Sequence, residues 1–347
     1  MKKRVLRLFA ALLILFLLFT AVACGGQNGV SVPSSEPASA QEPASSPEPA
    51  SVPESGQEET PDDAVSPLLW RVTDGQGHTL YLIGTIHIGD RRSDAVLDRL
   101  APVLDSCDAL AVEFDAVAYT GNVQRITEDM QQYLLTDGSV ITDHLPKTLY
   151  RRACMLLEQA GMYPSLFVQY NAAWWAQLIE SAMTMVYTKL DTNKAMDSLL
   201  IRYAYRHDIP VLEVESAAFQ MELLNSFDEA LYLLLIEETL QNVKLFRSQL
   251  DEMYTLWLAG DQDAFWTYLA GENEGTGDYT PEQTALLEDY NRRLLDERNL
   301  GMRERAVEYL AGGQTVFFAV GSAHMALDTG LVQLLMDAGY TVEQMAY

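Results

Sequence analysis

Two stretches of the chain end in the same way. Thr79-Leu80-Tyr81-Leu82-Ile83-Gly84 runs into Thr85-Ile86-His87, and Thr315-Val316-Phe317-Phe318-Ala319-Val320-Gly321 runs into Ser322-Ala323-His324. Each is a short apolar run, then glycine, two residues and a histidine. Runs of this length and composition read as buried strands. Glycine at a strand end lets the backbone turn sharply. The histidine then stands beyond the carboxyl edge of the sheet, where open parallel sheets bind ligands. The chain has five histidines. Two of them in this setting require a fold that brings two strand ends to one rim.

Two further runs read as strands, Ala109–Phe114 and Pro210–Glu215. Helical spacing separates the four, beginning at Asp94–Leu100 and running from Met196 to Tyr205. Strands alternating with helices predict an α/β fold with a mostly parallel sheet. Glu229 to Leu258 lacks Pro and Gly and reads as one long helix. A second runs from about Pro281 to Leu310. Residues 120–190 are mainly helical, with an aromatic pair at Trp174 and Trp175. These segments predict a large helical lobe, or two insertions at about 120–190 and 216–310, covering one end of the sheet. The Gly271–Gly277 stretch reads as a loop.

The other two strands end in carboxylates, Glu113 and Glu215. Two imidazoles with one or two carboxylates suit a divalent ion such as Zn, Mn, Co or Fe. Such an ion acidifies a bound water and polarises a carbonyl, and a carboxylate left off it can act as general base. Glu213 alternates with Glu215 and should face the opposite way. Asp115, two positions beyond Glu113, can support it from behind. His78, His144 and His207 sit in polar surroundings and read as surface residues.

The N-terminus predicts an address. Lys2, Lys3, Arg4 and Arg7 precede an apolar run from Leu8 to Ala23, short for a membrane span and shaped like a secretory signal. Ala21-Val22-Ala23-Cys24 resembles a bacterial lipobox, with Ala21 where leucine is usual. Residues 1–23 then form a lipoprotein signal peptide and Cys24 carries the lipid. The other readings are an ordinary signal peptide cut near Ala23, and a retained membrane helix. Residues 24–65 hold seven of the 13 prolines and no Lys or Arg. Such a stretch cannot bury enough apolar surface to order itself, and predicts a solvated tether. Residues 66–347 are the part that folds, large enough for one domain with an inserted lobe.

Charge narrows the partners. The whole chain has a formal net charge of −26. Removing the four basic residues of the leader and the eight acidic residues of the tether leaves about −22 on the folded part. That excludes nucleic acid and adhesion to anionic lipid as principal partners. Besides Cys24 there are Cys107 and Cys154. Two buried free thiols and a disulfide are both open readings. Neither is in a CxxC motif. No Gly-x-Ser-x-Gly elbow and no HExxH motif occurs, which excludes a standard serine hydrolase and a standard zincin.

The ordered motifs resemble the TraB/GumN family. Leu69-Trp70-Arg71-Val72 followed by Tyr81-Leu82-Ile83-Gly84-Thr85-Ile86-His87 resembles its opening, a Trp, a short hairpin and YLxGTxH. Ala111-Val112-Glu113 resembles its strand ending in glutamate. Ala195-Met196-Asp197 with Pro210-Val211-Leu212-Glu213-Val214-Glu215 resembles GxD…PVxGLET, with Ala195 and Glu213 where the family has glycine. Glu297-Arg298-Asn299 resembles its ERNxxM helix, and Gly321-Ser322-Ala323-His324 its final GxxH. The likeness spans roughly residues 67–347.

The resemblance implies kinship with Tiki proteases, which are metal-dependent. It implies a fold related to erythromycin esterase and ChaN-like proteins. Carried over, His87, His324 and Glu113 are the leading site residues, with Glu215 a further ligand candidate. Arg298 stabilises an oxyanion or binds a substrate carboxylate, or else is an exposed helix residue paired with Glu297 or another carboxylate. Asn299 points into the cleft. Asp197 supports a ligand or caps its helix. The function expected is a lipid-anchored, extracytoplasmic, metal-dependent hydrolase, with peptides or small proteins as substrates. The alternatives are a non-catalytic binder of a peptide signal, haem or iron through the same histidines, and a hydrolase of esters or lipid-linked substrates.

Overall fold

Strand–helix alternation yields one six-stranded mixed sheet. The computed structural model describes residues 65–271 and 279–345. The strands are β1 (Leu69–Thr73), β2 (Thr79–Thr85), β3 (Ala109–Val112), β4 (Val211–Glu213), β5 (Val316–Gly321) and β6 (Thr341–Gln344), ordered β4-β3-β5-β2-β1-β6. The β4-β3-β5-β2 part is parallel throughout, whereas β1 pairs antiparallel with both β2 and β6. The protein is therefore α/β with a mostly parallel sheet.

Residue type explains the layering. Every residue of β3 and β5 is buried, so these strands are covered on both faces and read as continuous apolar runs. On the outer edge, β6 is largely exposed and polar, which discourages pairing with other chains. The helix Arg92–Leu104 buries Val96, Leu97, Leu100 and Leu104 along one stripe. The helix Met196–Arg206 packs against that helix and against β3 and β4. Burying each such Leu or Val contributes about 1.5–3 kcal/mol.

Four further helices pack into a lobe of their own. In the helix Ala172–Tyr187, the residues from Ala172 to Thr184 are all buried. It packs against the helices Lys147–Gln159, Glu229–Gln241 and Val243–Ala259.

The structure differs from the sequence reading in four elements. It adds β1, Leu69–Thr73, which lies in the hairpin that the family resemblance implied, and β6, whose Thr341–Gln344 sequence is too polar to stand out as an apolar run. The single helix expected over Glu229–Leu258 is two, Glu229–Gln241 and Val243–Ala259. The break is at Asn242, whose side-chain amide donates to the Glu238 carbonyl at 3.1 Å, a local bond that competes with helix continuation. The expected helix from Pro281 runs to Ala311 with a π turn at Arg292–Asp296 between α-helical parts.

Cys107 and Cys154 are free and half-buried. The Cys107 thiol donates to the Val103 carbonyl at 3.2 Å. The expected signal peptide, Cys24 and nearly all of the expected tether lie outside the described residues. Among the described residues, no helix is long and apolar enough to cross a membrane.

Candidate functional site

The parallel register sets the site. Thr85 pairs with Gly321, and Val112 pairs with Ala319 and with Glu213. The carboxyl ends of β2, β3, β4 and β5 therefore share one rim, and His87, Glu113, Glu215 and His324 follow them. His324 sits on a short 3-10 turn, Ser322–His324, directly after β5. The segment carrying His87 is tied down by Gly89, which pairs with Asp191 through two backbone hydrogen bonds of 3.0 and 2.7 Å. The Met196 amide also donates to the Ile86 carbonyl at 3.0 Å. Both ties bring the start of the Met196–Arg206 helix alongside His87.

Each imidazole is held by its own acceptor. His87 Nδ1 donates to Asp197 Oδ2 at 3.0 Å. His324 Nδ1 donates to Asn299 Oδ1 at 2.6 Å. The Asn299 amide cannot be reversed, because its Nδ2 donates to the Thr329 carbonyl at 2.8 Å. Both histidines thus carry the Nδ1 proton when neutral and present a bare Nε2. His324 Nε2 is buried and has no hydrogen-bond partner. An imidazole fixed through Nδ1 with Nε2 free is the arrangement that ligating histidines adopt.

Glu113 lies between them. Its Oε1 accepts from the Gly321 amide at 2.7 Å and stands 3.9 Å from His324 Nε2. Its Oε2 accepts from Arg298 Nη2 at 2.6 Å and from Gln220 Nε2 at 2.8 Å. Arg298, only 4% exposed, also grips Glu215 through Nε at 2.9 Å and Nη2 at 2.7 Å. Gln220 Nε2 bridges to Glu215 Oε2 at 2.9 Å. One guanidinium and one amide therefore clamp two carboxylates together.

Gly321 marks the centre. A Cβ built on it would lie 3.2 Å from Glu113 Oε1 and 3.6 Å from both His87 Nε2 and His324 Cδ2. The two imidazoles and Glu113 therefore face a common space that a side chain here would fill. Two imidazole nitrogens and a carboxylate oxygen are a donor set that suits a divalent ion. Among the described residues, no three His, Cys, Asp or Glu side chains are drawn together as tightly as a bound metal would hold them.

The electrostatics separate the groups. Burial raises the Glu113 pKa, but the Arg298 charge, the two imidazoles and the Gly321 amide outweigh it and hold the carboxyl below the usual range. Burial and then Arg298 push His324 down to about 3, only partly opposed by Glu113. His324 is therefore neutral at ordinary pH, and its 3.9 Å approach to Glu113 is not an ion pair. Burial lowers His87, but the charge and hydrogen bond of Asp197, followed by Glu113, raise it overall.

Several expectations are corrected. Asp197 does not cap its helix: the N-cap is Ala195, without a side-chain cap bond, because the carboxylate is engaged by His87. Asp115 does not back Glu113. It caps the helix Ala116–Thr120 through the Ala118 amide, and its own amide donates to Glu213 Oε1 at 2.8 Å. Arg298 does pair with carboxylates, but it is buried rather than exposed, and Glu297 binds Arg292. The guanidinium is instead committed to Glu113, Glu215 and the Leu294 carbonyl, which leaves little of it to face a substrate. Glu215 contacts Arg298 and Gln220.

The sequence reading missed Gln220, which is 2% exposed. It lies on the first turn of the helix Ala217–Asn225, capped by the Ser216 hydroxyl. The only signal was its position one turn after Glu215.

Protein YbaP of Shigella flexneri, itself uncharacterised, is 24% identical over 261 residues, covering 75% of this chain and 89% of the relative. The uncharacterised YbaP of Escherichia coli K12 is 24% identical over 255 residues, covering 74% and 87%. The profile of the TraB/PrgY/gumN family matches residues 68–344, which contain both GxxH turns, both clamped glutamates and Arg298. The chain belongs to the TraB/PrgY/gumN family.

Proposed function

We propose that this protein is a metal-dependent hydrolase that cleaves peptides at the extracytoplasmic surface, anchored through Cys24. The observation that carries the reading is the convergence of two fixed imidazoles and Glu113 Oε1 over the Cα of Gly321. The leader and tether support the location, and the likeness to Tiki proteases supports the substrate class. The paired GxxH strands and parallel sheet support kinship with erythromycin esterase and ChaN-like folds.

His87 and His324 would hold the ion through Nε2. Bound there, a divalent ion such as Mn, Co, Zn or Fe would supply Lewis acidity toward a scissile carbonyl and a bound water. Glu113 either completes the ligand set or takes the proton from the attacking water through Oε1. Arg298 and Gln220 keep its other oxygen fixed and keep the group charged. Asp197 and Asn299 hold the imidazoles in the tautomer that leaves Nε2 bare.

The test is elemental analysis of the protein purified without chelator, beside His87→Ala/His324→Ala and Gly321→Ala. The second variant keeps every ligand but places a methyl at the centre. Stoichiometric metal in the wild type and none in either variant is expected, followed by peptide cleavage that EDTA abolishes. A folded wild type that takes up none of the four metals would end the hydrolase reading and favour the binder.

A further inference from the structure

Behind His87 is a narrow space of about 10 Å³, lined by Thr85, His87, Val112, Glu113, Phe114, Ala116, Asp197 and Ala319. That is about the volume that admits one water molecule. Two of the lining residues carry buried polar atoms without a hydrogen-bond partner among the described residues. These are Thr85 Oγ1 and Asp197 Oδ1. Thr85 is 2% exposed, and Asp197 is also buried. Buried oxygens of this kind are rarely left unpaired.

Among the described residues, no polar group reaches them. Asp197 Oδ2 is bound to His87. The Thr85 carbonyl accepts from the Ser322 hydroxyl at 2.7 Å, so this residue's backbone is satisfied while its side chain is not. Ionised, Asp197 can only accept, whereas Thr85 can donate or accept. A molecule between them must donate to the carboxylate and pair with the hydroxyl, which a water does.

We infer that a single water sits between Thr85 and Asp197 and completes the hydrogen bonding of the carboxylate that holds His87. Thr85 is therefore a positioning residue, acting on His87 through the water and Asp197. The water site stands apart from the proposed function, while its effect on metal affinity rests on it.

The experiment is a crystal structure of the metal-free protein at about 1.5 Å or better, with Thr85→Val and Thr85→Ser as variants. The expected density is one peak at about 2.7–3.2 Å from Thr85 Oγ1 and Asp197 Oδ1, lost in Thr85→Val and retained in Thr85→Ser. An empty space in the wild type overturns the proposal. Contacts shorter than about 2.6 Å to several oxygens would indicate a cation and also overturn it. The His87 Nδ1 proton resonance reads positioning without metal. It should move in Thr85→Val and return in Thr85→Ser, and an unmoved resonance overturns the positioning role. Metal affinity should fall about 10-fold in Thr85→Val. A wild type that binds no metal would refute the metal reading and leave the density and resonance to decide the water. If Thr85→Val fails to fold, the wild-type density still decides the water, and Thr85→Ala takes the place of Thr85→Val in the resonance measurement.

Discussion

The protein buries two glutamates in opposite ways. Glu113, on the rim of the sheet, receives hydrogen bonds from the Gly321 amide, Arg298 and Gln220. Glu180 lies inside the helical lobe, and neither of its oxygens has a partner among the described residues. The hydroxyl of buried Tyr290 is likewise without one, and its pKa is raised first by burial and then by Glu180. Glu113 is held below the usual carboxylate range despite burial. Burial alone pushes Glu180 well above it. Depth does not decide ionisation, since both groups are buried. The donors aimed at the group decide it. The fold concentrates its donors on the rim, which identifies the rim as the place where charge is needed.

Removing Arg298 should make Glu113 resemble Glu180. Arg298→Met leaves Glu113 and Glu215 buried beside each other without their cation. Breaking a buried pair from one side costs about 3–5 kcal/mol, read from urea denaturation at pH 7. The pH dependence should change as well. The Glu113 pKa is lower folded than unfolded, so its stabilisation is present above the unfolded value. It is lost as pH falls through the folded one. The variant should lose this acid-side decline. Equal denaturation midpoints for variant and wild type would refute the clamp.

Gln220→Met tests the second arm of the clamp at smaller cost. It removes one amide group that donates to both carboxylates, a loss of about 1.5–3 kcal/mol, and leaves the ion pairs in place. Part of that loss is offset by the buried apolar surface that methionine adds. Metal affinity should fall with stability, because Glu113 Oε2 loses one of its two anchors. Unchanged affinity in a folded variant would show that Arg298 alone fixes Glu113.

How much of this contrast could be read from sequence follows from what each residue needs. The GxxH turns, Glu113 and Glu215 were legible because they sit at strand ends, where composition changes abruptly. Register then carries them to one rim. Gln220 was not legible, because its role depends on which face of a short helix turns toward Glu113 and Glu215. The commitment of Arg298 to two carboxylates depends on helical phase after the π turn at Arg292–Asp296, a feature that leaves no clear composition signal. Glu180 was hidden for another reason. Within the run Ala172–Tyr187 it is the one charged residue and looks as if it would face water, and tertiary packing buries it. Asn242 shows the same limit, since one side-chain bond splits a stretch that propensity reads as continuous.

Glu180→Gln should invert the sign of the pH effect. The folded pKa of Glu180 lies above the unfolded one. Its contribution is therefore present below about pH 4.5, the ordinary glutamate value. It falls away as pH rises and the unfolded state ionises first. The wild type should lose at most about 1.4 kcal/mol per pH unit from this group. The glutamine variant should lack that loss, so its advantage over the wild type should be larger at pH 8 than at pH 5. A constant difference across that range would mean that Glu180 is ionised in the folded protein.

The smallest effect is expected where geometry alone would suggest a large one. Lys194 Nζ stands 2.6 Å from Asp94 Oδ2, the same separation as Arg298 Nη2 from Glu113 Oε2. The difference is water. The Lys194 and Asp94 side chains are 38% and 47% exposed, against 2% and 8% for Arg298 and Glu113. Solvent screens the exposed pair, and holding two long side chains together costs entropy, so Lys194→Met should shift stability by less than about 1 kcal/mol. The small shift should shrink further in 1 M salt, whereas that of Arg298→Met should persist. Lys194 lies three residues before Asp197 on the segment that supports His87. A large loss of metal affinity in Lys194→Met without a matching loss of stability would therefore show that the exposed pair, and not the buried contacts alone, sets the position of that segment.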